Sequence, residues 1–189
     1  MIDICAFGNS LTAGFGVPAE ASLPRQLSDQ LQTDGFSVTI SNHGISGDTT
    51  AGGLRRIQAA LSHCPDMVIL ELGINDILMG ISPQRIKANL EHLILACRQA
   101  GASVLLAGFT AVPGILEPEA EEFNSLYPDL AQAYNLTLFP DFLGGVAGNP
   151  KLTLLDGLHP NAHGITFIVN RLVPVVKDLL GTIAARENI

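Results

Sequence analysis

Cysteine is scarce in this sequence, with only Cys5, Cys64 and Cys97 present. An odd number, widely spaced and without a CxxC pair, excludes a disulfide framework and a thiolate zinc site. Buried free thiols are the expectation. Positive charge is scarce too: ten Lys and Arg stand against eighteen Asp and Glu, for a formal net charge of -8. Nucleic-acid binding needs clustered cations facing phosphates, so that class of partner is excluded. No apolar run approaches the length of a membrane span, and no transmembrane segment is expected. A secretory leader is also missing. Met1 as the native start implies the cytoplasm, whereas a leader already removed implies the periplasm or secretion.

What is present is a globular composition. Hydrophobic residues make up 47%, and 19 Gly with 11 Pro point to many tight connections between packed elements. A length of 189 residues fits one domain, residues 1–189, with a core that needs no metal or disulfide. No repeat, low-complexity tract or linker interrupts it.

Short β-rich apolar runs at 2–8, 38–41, 67–72, 104–109 and 136–139 read as strands. Helical periodicity occupies 23–33, 51–63, 83–100, 120–134 and 162–180, with Gly35 and Gly101 at stop positions and Pro174 expected to bend or break the last helix. This alternation predicts an α/β fold, a parallel sheet with helices on both faces. The long irregular stretches 110–118 and 140–155 follow the fourth and fifth strands and are candidate pocket walls. Their Ile115, Leu116, Phe142, Leu143 and Val146 are candidates to receive an acyl or aryl group.

Open parallel sheets bind ligands beyond the carboxyl ends of their strands. Strand one ends in Gly8-Asn9-Ser10-Leu11, strand two in Ile45-Ser46-Gly47-Asp48-Thr49-Thr50, and strand three in Gly73-Ile74-Asn75-Asp76. Ser10 at a sharp strand exit suits a nucleophile, although a lone serine there more often caps the next turn. Its partners lie in Asp156-Gly157-Leu158-His159-Pro160. His159 takes the serine proton, and Asp156, three residues earlier, fixes the imidazole tautomer. Pro160 reads as an early position of the last helix, placing His159 near a positive helix end that opposes its protonation while Asp156 supports it. Backbone N–H groups of Ser10 and Gly47 and the side-chain amide of Asn75 are the oxyanion-hole candidates. The alternatives are a simple positive-φ turn for Gly47 and an Asx turn for Asn75.

Together the four blocks resemble the SGNH hydrolase (GDSL esterase/lipase) family across nearly the whole chain. They are most similar to the bacterial arylesterase and acyl-CoA thioesterase I/lysophospholipase L1 branch, with further support from Glu122-Phe123-Asn124-Ser125-Leu126-Tyr127-Pro128-Asp129-Leu130. The resemblance implies a flavodoxin-like three-layer α/β/α sandwich with a sheet of about five strands in the order 2-1-3-4-5. It also implies catalytic Ser10, Asp156 and His159, an oxyanion hole from Ser10, Gly47 and Asn75, and neither cofactor nor metal. The implied substrates are small aryl and alkyl esters, thioesters or lysophospholipids. One departure stands out: the family pattern has Asp before the serine, and this chain has Asn9. Asn keeps the turn-forming role without the negative field, so tuned activity is expected, not its loss.

Two other readings compete. Asp156, His159 and His163 could be a metal site, and a chain that kept the fold but lost turnover would be a binding protein for carbohydrate or lipid. His63 and His92 read as surface helix residues and His43 as a loop residue near the site.

Overall fold

A central strand β1 (Ile2–Gly8) organises the molecule because it pairs on both sides. The computed structural model describes residues 1–111 and 120–187. Its other strands are β2 (Val38–Gly44), β3 (Met67–Glu71), β4 (Ser103–Ala107) and β5 (Thr137–Phe139), forming one parallel sheet in the order β2-β1-β3-β4-β5. The expected topology is therefore the observed one. All of β3 and the last five residues of β1 are buried, as strands covered on both faces must be.

The helices are α1 (Ser10–Ala13), α2 (Leu23–Thr33), α3 (Thr50–Leu61), α4 (Ile74–Leu78), α5 (Pro83–Gln99), α6 (Ala120–Tyr134) and α7 (Ala162–Glu187). On one side of the sheet α2 packs on α7; α5 packs against both α3 and α6 on the other. Gly35 and Gly101 take φ of +88° and +85° just past α2 and α5, as their stop positions predict.

Several sequence expectations need correction. β2 runs three residues beyond Ser41, because its last residues are polar and half-exposed on a sheet edge yet still pair with β1 through Gly44. His43 is thus on a strand, and His63 lies in the turn after α3. Pro174 does not break the last helix, which continues past Leu180 to Glu187. Pro174 and Asn170, whose carbonyl loses its helical donor, are both exposed, so water can satisfy that oxygen. Proline in a helix interior costs about 3 kcal/mol, less than the summed burial of Leu172, Val173, Val176, Leu179 and Ile183 at about 1.5–3 kcal/mol each. Cys5 and Cys97 are buried, but Cys64 is exposed in a left-handed turn at φ 51°.

The register fixes where function can sit. Gly8 lies level with Gly44 on one side and Glu71 on the other, so β1, β2 and β3 end on one line. The chain segments leaving these strands emerge side by side at one sheet edge.

Candidate active site

Past β1 the chain turns within one residue into α1, whose cap is Asn9: its Oδ1 accepts from the Leu11 N–H at 2.9 Å. The capping role weighed for Ser10 thus belongs to its neighbour. Ser10 is the first helical residue, so its N–H has no acceptor within the helix. Gly8 allows the turn to close onto the sheet, since a Cβ there would stand 2.2 Å from Thr12 Oγ1 and 2.4 Å from Glu71 Oε2.

From the other end of the chain, a loop tied by Leu154 N–H to the His159 carbonyl, at 2.7 Å, brings the imidazole over this turn. Ser10 Oγ lies 2.9 Å from His159 Nε2, and His159 Nδ1 lies 2.7 Å from Asp156 Oδ2. With Nδ1–H donating to the carboxylate, Nε2 is left as an acceptor for the serine hydroxyl. Asp156 Oδ1 also accepts the N–H groups of Leu158 and His159, each at 2.9 Å. The Leu158 bond foremost, then His159, holds the Asp156 carboxyl below the usual aspartate range.

Pro160 is not helical, which corrects the sequence reading. It bridges to Thr153, and Asn161 precedes α7, accepting from the Gly164 N–H at 3.0 Å. His159 therefore takes its geometry from the loop and not from a helix end. His163 is exposed, and no group of three or more His, Cys, Asp or Glu is arranged to hold a metal among the described residues.

Asn75, in α4, donates from Nδ2 to the Asp48 carbonyl at 2.8 Å, and its second amide hydrogen has no acceptor among the described residues. Gly47, at φ +78°, sits in the adjoining loop, and its N–H has no partner among the described residues. That loop is stitched to α4: buried Asp76 accepts from the N–H and hydroxyl of Thr50, whose oxygen also accepts from Asn89. A cavity of about 10 Å³ is lined by Ser10, Leu11, Ile74, Asn75, Leu143, Leu158 and His159. Gly47 is not part of this lining.

Of the apolar candidates, Leu143 lines the cavity, while Phe142 and Val146 are fully buried core residues. Ile115 and Leu116 lie outside the described residues.

Other contributors escaped the sequence reading. Phe15, half exposed, packs its ring 4.6 Å from that of His159. Arg56 donates to Asp48 Oδ2 at 2.6 Å, to the His43 carbonyl at 2.7 Å and to the Gly8 carbonyl at 2.8 Å, with its guanidinium 3.9 Å above Phe7. It clamps two strand ends to the Gly47 loop. Tyr127 donates to the Leu72 carbonyl at 3.0 Å, just before the α4 turn. Glu71, wholly buried, faces Asn9 and Thr12; burial pushes its carboxyl up to about 8 against the opposing pull of their hydrogen bonds. A helix-spaced Arg and an acid closing an apolar strand carry no sequence signal of a site, since their partners are distant in the chain.

Comparison with known proteins points to one family. The model of the GDSL-like Lipase/Acylhydrolase family matches residues 6–165. An arylesterase from Vibrio mimicus is 39% identical over 87% of this chain and 83% of its own. The thioesterase 1/protease 1/lysophospholipase L1 of Escherichia coli (strain K12) is 33% identical over 92% of this chain and 82% of its own. A crystal structure of TesA superimposes with a TM-score of 0.89 and 32% identity, covering 94% of this chain and 99% of that one. With the family model spanning most of the chain, this protein belongs to the GDSL-like lipase/acylhydrolase family.

Proposed function

We propose that the chain hydrolyses carboxylic esters through an acyl-enzyme on Ser10, with His159 as general base and acid and Asp156 as its orienting carboxylate. The single observation carrying this reading is the hydrogen-bonded line from Ser10 Oγ through the imidazole to Asp156, at 2.9 and 2.7 Å. In the first half-reaction Oγ attacks the carbonyl carbon while Nε2 takes the serine proton. Collapse of the tetrahedral intermediate passes that proton to the departing alcohol oxygen. Water then repeats the sequence, its proton moving to Nε2 and back to Ser10 as the acid leaves. Negative charge on the intermediate is met by the N–H groups of Ser10 and Gly47 and by the free amide hydrogen of Asn75.

Small aryl and alkyl esters are the favoured substrates. The walls Leu11, Ile74, Leu143 and Leu158 of the cavity beside Ser10 are apolar. Exposed Phe15, its ring against that of His159, adds apolar surface beside it. Thioesters and lysophospholipids use the same acyl chemistry and are the second reading, supported by the name of the Escherichia coli relative. A net charge of -8 disfavours a substrate held by its phosphates.

Rates on p-nitrophenyl esters and acyl thioesters, with Ser10→Ala as the blank, test this. Short aryl esters should turn over fastest, and a fluorophosphonate should label the parent chain but not S10A. A labelled or active S10A protein would remove Ser10 from the reaction.

A further inference from the structure

Beneath the nucleophile lies a carboxyl group that takes no part in the chemistry above. Glu71 closes β3 level with Gly8 and is fully buried. Its Oε1 accepts from Asn9 Nδ2 at 2.6 Å, and its Oε2 accepts from the Asn9 N–H at 3.1 Å and Thr12 Oγ1 at 2.8 Å. These donors belong to the two residues that bracket Ser10 and Leu11. Asn9 passes the constraint on, because its Oδ1 accepts from the Leu11 N–H at 2.9 Å and lies 3.3 Å from Ser10 Oγ, whose single hydrogen is directed to His159 Nε2. Leu11 N–H can only donate, so oxygen must face it and the amide NH2 must face Glu71.

We propose that Glu71 is a positioning residue for the nucleophile, acting through Asn9 and Thr12, and that the amide at 9 and the carboxyl at 71 form an exchangeable donor–acceptor pair. The inference rests on the Ser10 reading and deepens it. Ser10 Oγ must meet both His159 Nε2 and a substrate carbonyl, and displacement of such a group by about 1 Å costs on the order of 10²-fold in rate. A four-residue helix, even with Asn9 and Gly14 as its caps, cannot hold that alignment unaided. Its three bonds to a side chain rooted in the central sheet can.

Hydrogen-bond logic supplies the test. In E71Q the new amide must turn its NH2 either toward Asn9 Nδ2 or toward the Asn9 N–H, so a donor faces a donor in both orientations. The swap N9D/E71Q removes that conflict. The carboxylate introduced at 9 accepts from the amide introduced at 71, whose oxygen accepts from the residue-9 N–H and Thr12 Oγ1.

Steady-state hydrolysis of p-nitrophenyl acetate, corrected for the folded fraction by circular dichroism, separates kcat from KM. E71Q should lose about 10²-fold in kcat with KM moved less than about two-fold, and the swap should recover at least about ten-fold of the loss. If E71Q does not fold, a swap variant with kcat within about ten-fold of the parent supports the proposal. A folded E71Q with parental kcat, a folded swap as slow as E71Q, or a swap that fails to fold overturns it. Undiminished hydrolysis by S10A would overturn the nucleophile assignment and this inference with it, whereas the outcomes at 71 overturn the inference alone.

Discussion

At the level of single residues, the proposed chemistry depends on donors and acceptors that have one arrangement available. Asn75 illustrates this, because one amide hydrogen is committed to the Asp48 carbonyl and the other is free for the reacting oxygen. Asn75→Ala should therefore lower kcat by about 10²–10³-fold with a small change in KM, since the lost interaction matters mainly in the transition state. Steady-state kinetics on a short aryl ester check this, and an unchanged kcat would exclude Asn75 from the oxyanion hole. That Ser10, His159 and Asp156 come together was legible in the sequence because each lies in a short block with local turn chemistry. Glu71 and Arg56 were not. A glutamate closing an apolar strand and an arginine on a helix acquire meaning only from partners that the sheet register brings near. Phe15 was missed for the same reason, its contact being with a ring 144 positions away.

At the level of elements, the strand ends behave as one assembly tied by Arg56. Its three hydrogen bonds join the carbonyls of Gly8 and His43 to Asp48, with side chains only 19% and 11% exposed in the ion pair. Arg56→Ala should cost about 1–3 kcal/mol, because it leaves Asp48 and two carbonyls short of a donor where water enters poorly. A lowered urea midpoint with unchanged slope is the expected measurement, and activity should fall with it as the Gly47 loop loosens. Most strand and helix positions were readable, since periodicity reports burial and the buried strands are almost entirely apolar, whereas the sheet order followed from the family resemblance. Misplaced boundaries have separate causes. β2 extends through polar residues because backbone pairing at an edge does not require apolar side chains, and α7 passes Pro174 because the proline sits on its wet face.

At the level of the whole molecule, stability should follow pH through two carboxyls that pull in opposite directions. Glu71 is raised from 4.5 to about 8 in the fold, first by burial, with Tyr127 as a titratable neighbour. The folded state keeps a proton that the unfolded chain releases above 4.5, the Thr12 hydroxyl being the one partner able to accept from it, so this contribution is complete below 4.5 and is lost as pH rises through about 8. Asp156 is lowered from 3.8, so its contribution is present above 3.8 and is lost as pH falls through its folded value. Thermal midpoints should decline from pH 5 toward pH 8, and E71Q should flatten that slope; parallel slopes would exclude Glu71 as its source. The level line of Gly44, Gly8 and Glu71 carries one more consequence. Adding or deleting a single residue within the first strand would invert every side chain beyond it and rotate the serine turn away from its neighbours. Length variation among relatives should therefore collect in the outer connections and spare the first eight positions.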